Sequence, residues 1–412
     1  MSVDTMSSDE FRAAMVGTLI ADQRDKGLAM RPEVEAALRR VPRHLFTPGS
    51  SLEDAYSANL AVVTKQVGDE TISSVSAAWL IAEMLGQAAD AHEGGLAGLD
   101  VLEIGSGGYN AALLQELVGA SGSVTTVDID KDVTDRASAC LAAAGYDDVT
   151  VVCADAEQPI GTRRIYDLII ATVGAWDIPP TWIKQLASDG VLVVPLRTFG
   201  MTRSWALRRT PAGMVSHSQR LCGFVSIQGA GTHQMRYVDV ADGVHVRLDE
   251  DQQIDPDAVS ALLTQPPVQA WAGASLPPAT VLADLDMWLA TRLTAAGQQF
   301  VILTAQQDAI DAGRISPAWR FGTPAGVHDG TFCYRSALKW SDDRFDVGAL
   351  ACGPDADTVA ERWIEHMVAW LEAGGPAPVL HVLPAATPDG DLPAGTVLDK
   401  RHSRLVLTFT LR

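Results

Sequence analysis

Residues 101–114 read VLEIGSGGYNAALL, and this stretch decides the fold. The apolar run over 99–104 has the length and composition of a buried strand. Glu103 is the acid nearest its end, and the run leads into Gly105, Ser106, Gly107 and Gly108. From Tyr109 the apolar residues recur at helical spacing. A strand, a glycine turn and a helix make a nucleotide-binding corner, because glycine tolerates positive φ and the first helical N–H groups face the ligand. Two ligand classes use such corners. Dinucleotides favour GxGxxG, with the pyrophosphate on the helix N-terminus. Here the spacing is GxGG, without the last glycine. S-adenosylmethionine carries no phosphate and brings an ammonium and a sulfonium, so an acid ahead of the turn suits it, and Glu103 fits. The bland alternative is a glycine turn that holds nothing.

Outward from that corner, apolar runs at 123–127, 149–153, 166–172 and 191–196 read as further strands. Helical periods fall at 109–117 and 133–144, the latter closed by Gly145, with a short helix from Pro179-Pro180. Strands alternating with helices predict a parallel, doubly wound α/β sheet with right-handed crossovers. Asp128 and Asp155 end the second and third strands. A carboxylate at the first position can accept both hydroxyls of a ribose diol, and one at the second can accept from an adenine amine. The alternatives are a helix cap for Asp128, which Asp130 or Asp132 can supply instead, and a loop acid for Asp155. Ile129, Ala156 and Thr172 occupy the same strand ends and complete the candidate cofactor set.

The flanks differ. Ahead of the corner, helices are predicted near 11–20 with Asp9 as cap, from Pro32, and over 75–85. Beyond Pro211 the alternation fades into an α+β pattern: strands at 224–228 and 237–248 (turning at Asp242-Gly243), helices at 281–293 and 356–372, and a strand at 403–411. The expected regions are an N-terminal helical part (1–90), the cofactor-binding core (91–215) and a C-terminal α+β domain (216–412) packed against it. With 31 basic and 51 acidic side chains the net charge is −20, which disfavours nucleic acid and anionic membrane as partners. The five cysteines form no CxxC pair, so free thiols in a reducing compartment are expected. The histidines show no ligand spacing, and no metal is expected. The opening residues lack a secretory pattern, and no apolar run approaches the ~20 residues of a membrane span. A cytoplasmic protein is the expectation. One basic cluster, Lys400-Arg401-His402-Ser403-Arg404, stands out on an acidic chain. It could grip an acidic peptide, or simply be a solvated strand end.

Four segments together, PRHLFTP (42–48), ETISSVSAAWLIAEML (70–85), VLEIGSGGYNAALL and YDLIIATVGAWDIPPTWIKQLASDGVLVVPL (166–196), resemble protein-L-isoaspartate O-methyltransferases over about 12–196. The resemblance implies a Rossmann-like class I methyltransferase domain, S-adenosyl-L-methionine as donor with S-adenosyl-L-homocysteine as product, and a peptide carboxylate as acceptor. It implies that Ser73 lies beside that carboxylate, with Thr71 and Ile72 in the same loop. It also implies that Gly105, Ser106 and Gly107 line the methionine part, Asp128 holds the ribose and Asp155 faces adenine. Ser73 could also serve as the cap of the following helix. A carboxylate is already ionised at neutral pH, with a reference pKa of ~4, so positioning rather than a general base is expected to drive transfer.

The chain departs from the family's pattern in a shorter glycine loop, in Ser74-Val75-Ser76 after Ser73, in extra length between Ala55 and Thr71, and in some two hundred further residues. These features are similar to the actinobacterial FxLD-system methyltransferases that tailor lanthipeptides, and to relatives that modify graspetides. That likeness implies a ribosomal precursor peptide as partner. An Asp would be esterified and then close to a succinimide (aspartimide) or open to isoaspartate. Ser74, Ser76, Lys400, Arg401 and Arg404 would then touch the peptide. General L-isoaspartyl repair is the alternative acceptor reading, and a non-catalytic adenosyl-binding module is a third.

Overall fold

The computed structural model describes residues 6–105, 107–161, 164–249 and 252–411. Helices α1 (Ser8–Asp25) and α2 (Pro32–Arg40) open the chain. Ser7, not Asp9, caps α1, in a reciprocal box with Glu10, while Pro32 starts α2 as its fixed φ favours. A helical turn, α3 (Leu52–Ala55), precedes a hairpin of β1 (Val62–Val67) and β2 (Glu70–Val75). Helix α4 (Ala78–Ala91) follows, with Ala77 at its N-cap. The helix expected from residue 75 therefore starts later, and Ser73 pairs in a strand instead of capping it.

The parallel unit follows the expected order: β3 (Asp100–Ile104), α5 (Tyr109–Val118), β4 (Ser123–Asp128), α6 (Lys131–Ala144), β5 (Thr150–Cys153), β6 (Tyr166–Ala171), α7 (Pro180–Gln185) and β7 (Leu186–Thr198). Gly145 ends α6 at φ +82°, the left-handed conformation that glycine adopts most easily. Two antiparallel strands, β8 (Met201–Arg209) and β9 (Met214–Leu221), extend the sheet. The segment expected as a strand at 224–228 forms no ladder. It runs as a loop joined to Gly174 by Gly174 N–H to Val225 O (2.8 Å) and Ile227 N–H to Gly174 O (2.9 Å).

The later chain builds a second, wholly antiparallel sheet. Its strands and helices are β10 (Met235–Ala241), β11 (Val244–Asp249), α8 (Pro256–Leu263), β12 (Val268–Trp271), α9 (Leu282–Ala295), β13 (Gln299–Ala305), α10 (Gln307–Asp311), β14 (Thr323–His328) and β15 (Thr331–Arg335). A small hairpin, β16 (Lys339–Ser341) with β17 (Arg344–Asp346), precedes β18 (Gly348–Cys352) and α11 (Ala356–Glu372). The sheet's strand order is β10-β11-β13-β14-β15-β18-β12. The chain then returns: β19 (Ala377–Pro384), β20 (Thr396–Asp399) and β21 (Ser403–Thr410) join the first sheet, whose ten strands run β20-β21-β19-β9-β8-β7-β6-β3-β4-β5. Residues 216–412 are thus shared between the two sheets.

Helices α9 and α11 lie between the sheets. Leu285, Met287 and Trp363 share one core with Trp205, Leu207, Val382 and Leu405 of the first sheet. Burying a side chain of this size contributes ~1.5–3 kcal/mol. Trp288 of α9 meets Phe409 of β21 edge to face at 5.0 Å. Arg203 of β8 pairs with Asp284 of α9 at 3.2 Å, both about 1% exposed.

Candidate active site

The sheet's order reverses between β3 and β6, and ligands of doubly wound sheets sit outside the strand tips at such a point. Gly105 leaves β3 at φ +96°. A Cβ there would lie 2.8 Å from Val173 Cγ1 and 2.9 Å from Thr172 Oγ1, so only glycine fits. The turn is anchored on both sides: Gly105 N–H donates to Val127 O (2.8 Å), and the Thr172 hydroxyl donates to Gly105 O (2.6 Å). Gly108, at φ +81°, enters α5 against Phe46, which a Cβ would approach to 3.1 Å.

Beside this turn opens a cleft lined by Ile72, Gly105, Asp128, Ile129, Ala156 and Ile227 among others. Asp130 caps α6 by accepting from the Asp132 and Val133 N–H groups, so the cap does not fall to Asp128. Asp128 closes β4 on the cleft wall and accepts from Asp130 N–H at 2.9 Å. The loop after β9 is the cleft's far wall, through Ser226, Ile227 and Gln228. Sequence reading expected a strand here and assigned it no role.

Other candidates are placed differently from expectation. Glu103 does not line the cleft. It is fully buried under the turn, accepting from Asn110 Nδ2 (2.8 Å) and the Thr126 hydroxyl (2.5 Å). Burial outweighs those hydrogen bonds and pushes its carboxyl up to about 7. Asp155 is likewise engaged within the fold: it accepts from Glu157 N–H (2.9 Å) and, across the loop, from Ala230 N–H (3.0 Å). Ser106 lies outside the described residues.

Strand β2 carries Thr71, Ser73 and Ser74, and Ser76 follows it; of this stretch Ile72 lines the cleft. Val75 O and Ser76 O accept from Nη2 of Arg43, a fully buried side chain whose Nε donates to Ala55 O (2.7 Å). The PRHLFTP loop thereby fixes the end of β2. Ser73 is 8% exposed, and its oxygen accepts from the Thr64 hydroxyl at 3.0 Å and from Arg136 Nη2 at 3.4 Å. Thr71 Oγ1 accepts a long contact from Gln66 Nε2, 3.5 Å. Lys65 ties the hairpin to α6 through Asp130 (2.6 Å) and Asp132 (2.7 Å). Arg136 was not among the predicted residues. Its signal was a charge at helical spacing between Val133 and Cys140, on the buried face of α6.

The basic run separates into different roles. Arg404 pairs with Asp389 (2.6 Å) and Asp399 (2.7 Å), and these bonds raise its already high pKa. Lys400 lies 3.9 Å over the Trp176 ring, which stacks on His233 at 3.8 Å. Arg401 donates to Ala230 O (3.3 Å) and lines a second cavity with Trp176 and His402. No group of His, Cys, Asp or Glu able to hold a metal occurs among the described residues.

The family model for protein-L-isoaspartate(D-aspartate) O-methyltransferase (PCMT) matches residues 14–230, more than half the chain. The chain belongs to this family. The PCMT match ends where the cleft-covering loop ends, just before β10. An Ignicoccus hospitalis protein-L-isoaspartate O-methyltransferase is 33% identical over 50% of this chain and 92% of its own length. The Archaeoglobus fulgidus protein-L-isoaspartate O-methyltransferase 2 is 35% identical over 43% of this chain and 76% of its own. A solved Plasmodium falciparum structure, described as a beta-aspartate methyltransferase (PCMT) in complex with S-adenosyl-L-homocysteine, covers 51% of this chain and 97% of its own at 15% identity and a TM-score of 0.43. This PCMT member is therefore an S-adenosylmethionine-dependent O-methyltransferase.

The residues present fit that cofactor. The Gly105 turn lines the cleft, Asp128 offers a carboxylate to a diol, and Ile72, Ile129 and Ile227 offer apolar walls to a ring. Among the described residues no helix is long and apolar enough to cross a membrane.

Proposed function

We propose that this enzyme esterifies the free carboxylate of an L-isoaspartyl residue in a protein or peptide. The relatives carry that name, and we take this acceptor over the aspartate of a tailored ribosomal peptide. One observation carries the site assignment: Ile72 of β2 lines the cleft together with Gly105 and Asp128, and Ser73 is the next residue of that strand. Asp128, Ile129 and Gly105 would hold the adenosyl group and the methionine arm. Asp155 contributes through the 229–230 turn, and Glu103 by supporting β3, β4 and α5 from beneath. When bound, the sulfonium supplies an electrophilic methyl and departs as a neutral thioether. The chain's own part is to dock an ionised acceptor, strip its water and aim one oxygen. No proton needs to move. With its oxygen accepting from Thr64 and Arg136, Ser73 has its own proton to donate to the acceptor. Lys400 and Arg401, beside the second cavity, are the members of the basic run suited to an acidic flank of the peptide. Arg404 serves the fold.

The test uses labelled S-adenosylmethionine with a short L-isoaspartyl peptide and its aspartyl twin. Base-labile label should enter the isoaspartyl peptide alone. Label in the aspartyl twin instead would support ribosomal-peptide tailoring, and label in neither would overturn both acceptors.

A further inference from the structure

The rim where an acceptor must dock is acidic. Asp128, Asp130 and Asp132 surround the start of α6 on a chain of net charge −20. A carboxylate approaching this rim meets repulsion unless a cation offsets it. Lys65 is committed to Asp130 and Asp132. Arg136, one helical turn further along α6, is half-buried. Within 4.0 Å it forms no ion pair with any carboxylate among the described residues; its hydrogen bond is the 3.4 Å contact to Ser73 Oγ, and its Nε is buried without a partner. A guanidinium withdrawn from water without a carboxylate is costly, and such a group is ordinarily paired. Burial works against its charge and lowers its pKa, only partly offset through space by Cys140, Asp128 and Asp130.

We infer that Arg136 is the acceptor-binding cation of this enzyme: with Ser73 it holds one oxygen of the incoming carboxylate and leaves the other oxygen to be methylated. This inference rests on the acceptor reading above. Planar, forked donors suit a carboxylate, and contact through one oxygen orients it without occupying the reacting lone pair. The same contact gives the buried guanidinium the partner it lacks, so binding energy is gained only when an anionic acceptor is present.

The experiment compares wild type, Arg136→Gln and Arg136→Lys, each saturated with S-adenosylhomocysteine, by calorimetry with an L-isoaspartyl peptide, alongside kcat and KM. Arg136→Gln should weaken peptide binding and raise KM at least tenfold. Its affinity for S-adenosylhomocysteine should stay within about twofold, and Arg136→Lys should recover most of the loss. Wild-type peptide affinity should fall as salt is raised, and that dependence should flatten in Arg136→Gln. Peptide binding that Arg136→Gln retains in full overturns the assignment alone. A parallel loss of S-adenosylhomocysteine binding also overturns it, because Arg136 would then act through Asp128. A wild type that binds no isoaspartyl peptide overturns the acceptor reading and this inference with it.

Discussion

The ten-stranded sheet has two halves built on opposite logic. In β7-β6-β3-β4-β5 every neighbour is parallel, crossovers join the successive strands, and the candidate ligand groups lie at the strand tips. In β8, β9, β19, β21 and β20 every pair is antiparallel, and β9 meets β19 from some 160 residues away. The first half holds the candidate ligand groups lining the cleft. The second carries the weight of the other sheet, through Arg203, Asp284 and the core around Trp288. Stability and cofactor affinity should therefore respond to different substitutions.

The sharpest separation is Asp284→Ala. It leaves Arg203 charged and buried, and should cost ~3–5 kcal/mol by chemical denaturation. Affinity for S-adenosylhomocysteine should hardly change, and a large loss of it would erase the distinction between the halves. The second effect is pH dependence from Glu103. Its folded pKa is raised from 4.5 to about 7, so the folded state holds this proton more tightly than the unfolded chain. The stability it contributes is complete below pH ~4.5 and is lost as pH rises through ~7, on the order of 3 kcal/mol in all. Glu103→Gln can keep both hydrogen-bond partners and should flatten that slope in denaturation curves taken across the window. Gly105→Ala forces a side chain into a left-handed backbone and against Val173 and Thr172. A strain of ~1–3 kcal/mol should appear mostly as lost S-adenosylhomocysteine binding, up to ~100-fold by calorimetry. Asp128→Asn should weaken the same ligand ~10-fold with little change in melting temperature. Arg404→Ala breaks ion pairs whose acids are 90% and 69% exposed, and should shift stability by under ~1 kcal/mol and leave turnover intact.

The parallel half was legible because its signals are local. The apolar runs, Gly105, Asp128 and the Gly145 stop all lie within a few residues of what they determine, and each fell in the expected element. The candidate site was legible only in part. Asp128, Ile129, Ala156 and Ile72 do line one cleft, but Glu103 and Asp155 turned out to be satisfied inside the fold. A carboxylate near a strand end reads the same in sequence whether it faces ligand, a neighbouring Thr126 and Asn110, or the Gly229–Ala230 turn. Arg136 went unread because its meaning depends on Ser73, 63 residues earlier.

The sequence by itself determined the corner, its glycines, the alternation that makes a parallel sheet, and the family these imply. Backbone sterics and hydrophobic period act over a handful of residues, and so they can be read from a string. Only the tertiary structure decided that β19–β21 return to the first sheet, that the loop after β9 walls the cleft, and which cation faces Ser73. Those outcomes depend on pairing and burial between segments far apart in the chain, where no local preference carries the information.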